Sequence, residues 1–118
     1  MSKRYCQTLQ LKDDPQLIEE YKYWHRSENA WKEVITGIEE VGILEMEIYI
    51  SGNILFMIIE VPDDFDWNKQ IAKLATLPRQ AEWEEFVSKY QKTTAQASSD
   101  EKWQMMDQIF RLSSCNAD

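Results

Sequence analysis

The sequence predicts an α+β domain of the ferredoxin-like type, an antiparallel sheet with helices in the order β-α-β-β-α-β. A β-hairpin in the middle of the chain is the first observation: Leu44–Ile50 alternates strictly, Ser51-Gly52-Asn53 can turn the chain, and Ile54–Val61 returns. Apolar residues at helical spacing on both sides of this hairpin are the second. The third is a strand-like pattern near each end of the chain.

The first strand and the first helix precede the hairpin. Tyr5–Leu11 alternates and contains residues that suit a pleated sheet. Asp14 and Pro15 then have the identities of a helix N-cap and of a first helical residue. They predict a helix that runs to about Val41, with a bend in the polar stretch 26–30.

After the hairpin, the sequence predicts a second helical region that is broken in two. Helical spacing begins at Trp67, Leu77-Pro78 interrupts it, and a second helical pattern includes Trp83. Lys92–Glu101 is polar and predicts a loop. Trp103–Leu112 alternates again and predicts the last strand.

In this arrangement the helices cover one face of the sheet and leave the other face uncovered. Large apolar side chains alternate onto the uncovered face, so it should be buried against a partner. A second copy of the chain, stacked sheet against sheet, would cover it. We therefore expect a two-fold homodimer that forms a dimeric α/β barrel, with a pocket between each sheet and its helices.

Composition and charge limit the functions that are open to this chain. Its 118 residues predict one domain, 1–118, of which 113–118 is expected to be a flexible tail. The formal net charge of −8 disfavours a nucleic-acid partner. The longest apolar run, Ile54–Ile59, is too short to span a membrane, and the residues after Met1 lack the apolar core of a secretory signal. We therefore expect a cytoplasmic protein with no membrane partner.

Residues that bind metals and cofactors are scarce. The two cysteines, Cys6 and Cys115, stand near opposite ends of the chain, and in a cytoplasmic protein we expect them to be reduced. One histidine and three glycines supply neither a zinc-ligand set nor a glycine-rich phosphate loop. We expect no metal and no cofactor, which leaves proton transfer by side chains as the chemistry.

The single histidine, His25, is the first candidate for that chemistry. On a continuous helix Tyr21, His25 and Glu28 would share one face. An imidazole with an ordinary pKa of about 6.5 both gives and takes a proton near neutral pH. The same spacing also fits a half-buried helix on which Tyr21 and His25 only pack. Glu47 and Glu60 interrupt apolar strands, where an unpaired carboxylate is costly; they are either ligand-binding residues or part of a solvated strand face.

Several phrases of the sequence resemble the L-rhamnose mutarotase family, and the resemblance extends from Arg4 to Leu112. The phrases are Tyr21-x-x-x-His25, Trp31–Val34, Gly42-Ile43 and Leu55–Val61. Members of this family are dimeric ferredoxin-like barrels that interconvert the α and β anomers of a 6-deoxy-L-sugar. The resemblance therefore implies an aldose mutarotase, an isomerase that needs no cofactor and binds a monosaccharide.

The resemblance also implies roles for single residues. The family's helix histidine, a proton donor, is matched by His25, and its sugar-binding helix tyrosine by Tyr21. Of a tryptophan pair on the later helix only Trp83 is matched, preceded here by Glu82. A strand tyrosine of the rhamnose enzyme falls at Met46. Three further phrases look more like the L-fucose mutarotase branch: Glu45–Ile48, Gly52-Asn53 and Phe56–Ile58.

The implied reaction is acid–base catalysis of ring opening and closure. A base removes the proton of the anomeric hydroxyl, an acid protonates the ring oxygen, and rotation about C1–C2 precedes closure to the other anomer. We expect His25 at the ring oxygen, while Glu47, Glu60 or a tyrosine remain open as its partner. Tyr21 and Trp83 would hold the sugar. Two other functions stay open: a cofactor-poor oxygenase or haem-binding dimeric barrel, and a non-enzymatic ligand-binding dimer.

Overall fold

A computed structural model describes residues 2–92 and 102–115 of the chain. In these ranges a four-stranded antiparallel sheet has the order β2-β3-β1-β4, with helices packed on one face. The fold is ferredoxin-like, as the sequence predicts. Its elements are β1 (Ser2–Gln10), α1 (Pro15–Trp24), α2 (Lys32–Glu40), β2 (Glu45–Ser51), β3 (Ile54–Pro62), α3 (Trp67–Leu74), α4 (Gln80–Ser88), β4 (Gln104–Met106) and α5 (Leu112–Cys115).

The first helical region consists of two helices, so the prediction of one bent helix to Val41 is wrong. The predicted cap of α1 is confirmed, because Asp14 accepts hydrogen bonds from two backbone N–H groups of the first turn at 2.9 and 3.3 Å. However, α1 ends at Trp24, and turns follow before α2. The polar stretch 26–30 has little apolar surface to bury against the sheet, so packing does not hold it in a helix.

The hairpin and the break in the second helical region form where the sequence predicts them. β2 and β3 pair from Glu45↔Glu60 to Ser51↔Ile54, and Gly52 in the turn has a φ of +61°. α3 and α4 are separate helices, and Arg79, directly before α4, has a φ of +64°. This left-handed conformation is unusual for a residue with a Cβ.

The C-terminal segment differs from its prediction. β4 ends at Met106, although Trp103–Leu112 was expected to be one strand. Beyond β4, Ile109 and Phe110 are 96% and 66% exposed. Strand formation depends on the packing of side chains, and pairing within one chain would not bury these two. Residues 113–115 of the expected tail belong to the short helix α5 (Leu112–Cys115). Residues 93–101 of the expected loop and 116–118 of the expected tail lie outside the described residues.

The alternation of side chains along the strands separates two surfaces of the sheet. Leu55, Met57, Ile59 and Val61 of β3 are buried against the helices, on what we term the covered face. The residues between them point to the opposite, outer face, and cross-strand partners share a face. By this register the outer face carries Arg4, Cys6, Thr8, Glu47, Tyr49, Phe56, Ile58, Glu60, Gln104 and Met106. No helix in the described ranges has the length and apolar character to cross a membrane.

Candidate active site

A cavity of about 640 Å³ lies between the covered face and the helices. Its volume is within the range of roughly 300–1,000 Å³ that is usual for small-molecule sites. Most of its wall is aromatic or aliphatic. The aromatic rings that line it are Tyr21, Trp24, His25, Trp31, Trp67, Trp83 and Trp103.

Three of the residues singled out from the sequence meet in this cavity. The rings of Tyr21 and His25 stack with centroids 4.2 Å apart, and the ring of Trp83 meets that of His25 edge-on at 5.4 Å. Trp83 is held in turn by Trp31, at 5.1 Å, and the guanidinium of Arg79 lies 4.2 Å above the Trp31 ring. The start of α4 is thus fixed against α2, which brings Trp83 to the end of α1.

The backbone determines the tautomer of His25. The residue is the C-cap of α1, and its Nδ1 lies 2.7 Å from the carbonyl oxygen of Tyr21. Because a carbonyl only accepts, Nδ1 carries the proton and donates it to this bond, so that Nε2 of the neutral ring has a free lone pair.

The surroundings of His25 favour its neutral form. The ring remains accessible to solvent at the cavity, but the aromatic side chains around it displace much of the water. This desolvation lowers the pKa of His25 below its ordinary value of 6.5, and the hydrogen bond to the Tyr21 carbonyl opposes the shift only in part. His25 is therefore predominantly neutral at pH 7.

Tyr21 is the other titratable group of this cluster. Its side chain is 4% exposed, and burial raises the pKa of the phenol well above its ordinary value, while a hydrogen bond from the side chain of Gln91 acts in the opposite direction. The hydroxyl consequently keeps its proton at physiological pH and serves as a hydrogen-bonding group.

One wall of the cavity is polar, and sequence reasoning missed it. Nε2 of Gln80 donates to Oε2 of Glu84 at 2.9 Å, and Nζ of Lys102 donates to the backbone carbonyl of Glu84 at 2.6 Å. Lys102 is 4% exposed; burial lowers its pKa, and the negative charge of Glu84 partly offsets this. The spacing of Gln80 and Glu84, four residues apart beside Trp83, was the one available sequence signal.

The strand carboxylates that the sequence leaves open as partners of His25 lie away from this cavity. Glu47 and Glu60 are on the outer face, and neither lines the cavity. Glu60 instead accepts a hydrogen bond from Oγ of Ser2 at 2.6 Å. Glu28 is beyond the end of α1 and does not share the helix face of His25. The strand pattern indicates that alternate residues share a face, but it does not identify the face that the helices cover.

Two further expectations concern Met46 and bound metals. Met46, where the family resemblance implies a tyrosine in the rhamnose enzyme, is half-buried and lines the cavity. Within residues 2–92 and 102–115, no three His, Cys, Asp or Glu side chains are grouped as a metal site would require. Cys6 is a free thiol.

Comparisons with known proteins show which proteins the chain is similar to. A family model described as L-rhamnose mutarotase matches residues 4–112. An L-fucose mutarotase of Xanthomonas campestris pv. campestris is 38% identical over 110 residues, which are 93% of this chain and 88% of that protein. A UPF0734 protein of Dictyostelium discoideum is 37% identical over 114 residues, with 93% and 90% covered. The crystal structure of an L-rhamnose mutarotase from Formosa agariphila shares the fold, with a TM-score of 0.66 at 18% identity and coverage of 92% of this chain and 97% of that one.

Proposed function

The chain belongs to the L-rhamnose mutarotase family and is a sugar mutarotase, and we propose that it interconverts the α and β anomers of L-fucose and L-rhamnose. The observation that carries this proposal is the cluster of Tyr21, His25 and Trp83 in one cavity. The cluster combines a neutral imidazole, a protonated phenol and a flat apolar ring. These are the groups that a monosaccharide and its proton transfers require.

In the proposed mechanism, Nε2 of His25 exchanges protons with the sugar. The neutral imidazole takes the proton of the anomeric hydroxyl as C1=O1 forms, and the imidazolium gives a proton to the ring oxygen as the C1–O5 bond breaks. One nitrogen can serve both oxygens because both are bonded to C1. Rotation about C1–C2 and the reverse steps then give the other anomer. The low pKa of His25 supports this order, since the resting group is a base.

The other two residues hold the substrate. The face of Trp83 offers an apolar surface to the C–H groups of the pyranose, and the Tyr21 hydroxyl forms a hydrogen bond with one of its oxygens. Glu47 and Glu60 have no part in the proposed mechanism, because they are on the outer face. Met46 supplies an apolar contact where a tyrosine would supply a hydroxyl. We therefore expect L-fucose to react at least as fast as L-rhamnose.

We further propose that the enzyme is a homodimer and works in the cytoplasm. Tyr49 and Met106 on the outer face are 54% and 42% exposed, and Phe110 is exposed beyond β4. Covering these apolar side chains with the outer face of a second copy would remove them from water. The free thiol of Cys6 supports a reducing compartment. A sedimentation measurement at micromolar concentration should give twice the chain mass of 14.0 kDa, and a stable monomer would contradict the dimer.

Saturation-transfer NMR tests the activity directly. One anomeric proton of L-fucose or L-rhamnose is saturated, and the loss of signal from the other anomer reports exchange. Catalytic amounts of the protein should accelerate exchange well beyond the rate in buffer. D-glucose is the matched control sugar, and we expect it to respond less. If exchange of both L-sugars stayed at the buffer rate, the proposed substrates would be wrong.

A further inference from the structure

Among the residues that the structure describes, two amide oxygens at the cavity lack a hydrogen-bond donor. They are Oε1 of Gln80 and Oε1 of Gln91. Both atoms are buried, both side chains line the cavity, and the residues are 5% and 2% exposed. Within the described ranges neither oxygen accepts a hydrogen bond. Buried carbonyl oxygens nearly always have a donor, so two such atoms at one cavity point to a ligand that brings donors.

The contacts of each amide nitrogen determine where its oxygen points. Nε2 of Gln80 lies 2.9 Å from a carboxylate oxygen of Glu84, and a carboxylate only accepts. The nitrogen must therefore face Glu84, which leaves Oε1 on the other side of the amide. The side chain of Gln91 is hydrogen-bonded to Tyr21. Its oxygen is thus held beside the ring that stacks on His25.

We propose that Oε1 of Gln80 and Oε1 of Gln91 accept hydrogen bonds from two hydroxyl groups of the bound sugar, and that this pair contributes to the choice among monosaccharides. The inference rests on the proposed function, because it takes a sugar as the ligand. Gln80 begins α4 and Gln91 follows the same helix. One acceptor therefore lies at the start of the helix that carries Trp83, and the other lies three residues beyond its end.

This pair discriminates in a way that the aromatic wall does not. An apolar ring tolerates most arrangements of hydroxyl groups around a pyranose. A fixed, buried acceptor does not, because a sugar with the hydroxyl inverted or missing leaves that oxygen without a donor. Gln80 and Gln91 would therefore contribute to selection among hexoses, whereas proton exchange would be the role of His25.

Deoxyfluoro sugars distinguish donors from acceptors and supply the test. Fluorine retains the size and polarity of a hydroxyl but cannot donate a hydrogen bond. We would measure binding of L-fucose and of its 2-, 3- and 4-deoxyfluoro analogues by tryptophan fluorescence, since Trp83 lines the cavity. In the parent protein, two of the three analogues should bind roughly tenfold more weakly than L-fucose. Equal binding of all four sugars would overturn the inference without any variant.

Variants then assign each hydroxyl to its acceptor. Gln80→Met and Gln91→Met each remove one oxygen at nearly constant volume, and each should abolish the penalty for one fluorinated position while the other penalty remains. Gln70→Met is the matched control, because Gln70 is half-buried, donates to the Val41 carbonyl at 2.9 Å and does not line the cavity. It should keep both penalties. If the two cavity variants also kept both penalties, the inference would be wrong.

Binding and anomer exchange are read separately, so the two proposals can fail separately. A parent protein that binds L-fucose with the expected penalties but does not exchange its anomers would contradict the proposed function and support this inference. A parent protein that exchanges anomers but binds all the fluorinated analogues as well as L-fucose would contradict this inference and support the proposed function. Absence of both binding and exchange would overturn both.

Discussion

The two faces of the sheet are built from the same strands, and they differ in almost everything that concerns function. Met46 and Glu47 are neighbours in β2, yet Met46 lines the cavity and Glu47 is on the outer face. On the covered face the helices bring the imidazole of His25 close to a phenol and an indole, with ring centroids 4.2 and 5.4 Å away. The outer face instead carries carboxylates and apolar side chains that are partly exposed to solvent. A shift of one residue therefore separates a candidate site from a candidate interface.

The largest expected effect comes from the covered face. His25→Asn keeps a polar side chain but removes the proton-exchanging nitrogen, and it should slow anomer exchange by about 10²-fold or more. Glu47→Gln and Glu60→Gln on the outer face should leave the rate within about twofold of the parent. Saturation-transfer NMR measures all three variants, and circular dichroism establishes that each is folded. A slow Glu47→Gln with an active His25→Asn would reverse the assignment of the two faces.

The dependence on pH is the next largest effect. The active form of His25 is neutral, and its pKa is lowered from 6.5. Exchange should therefore be constant near pH 7 and should fall about tenfold per pH unit only below the lowered pKa. The free energy of unfolding should also fall at low pH. Because the unfolded chain binds the proton of His25 more tightly than the folded chain, stability is lost as pH falls from 6.5 towards the pKa of the folded state. A rate profile with its midpoint above 6.5 would contradict the assignment of the neutral form.

Matched tyrosines in α1 provide a smaller contrast. Tyr21→Phe removes the buried hydroxyl beside Gln91 and should weaken sugar binding by about 0.5–1.5 kcal/mol, or roughly twofold to tenfold. Tyr23→Phe makes the same change two residues away, at a side chain that is 45% exposed and does not line the cavity. Titration with L-fucose should therefore separate the two variants. Equal affinities would exclude a sugar contact for the Tyr21 hydroxyl.

The features that the sequence predicts correctly depend on local chemistry. The Asp14 cap, the turn at Gly52 and the interruption at Leu77-Pro78 each follow from a few adjacent residues. The proximity of His25 and Trp83 was expected only from the family resemblance, because their spacing along the chain carries no information about contact.

The features that were missed depend on tertiary packing. Glu47 and Glu60 point away from the cavity because the helices cover the other face of the strands. No local sequence pattern shows which face the helices cover. The polar wall that contains Gln80 and Lys102 has the same origin, since Lys102, just before β4, reaches Glu84 only when β4 is placed beside β1. The length of β4 was overestimated because the alternation beyond Met106 has no core to pack on within one chain.

The smallest expected effect concerns the choice of sugar at Met46, the neighbour of Glu47 on the covered face. Met46→Tyr introduces, at a position that lines the cavity, the tyrosine that the family resemblance implies for the rhamnose enzyme. A new hydroxyl there can form a hydrogen bond with one sugar but not equally with the other. We expect the ratio of L-rhamnose to L-fucose exchange rates to rise about twofold to tenfold. The ratio is its own control, because a general loss of stability would lower both rates together. Parallel changes in both rates, or a fall in the ratio, would show that Met46 does not contribute to the choice of sugar.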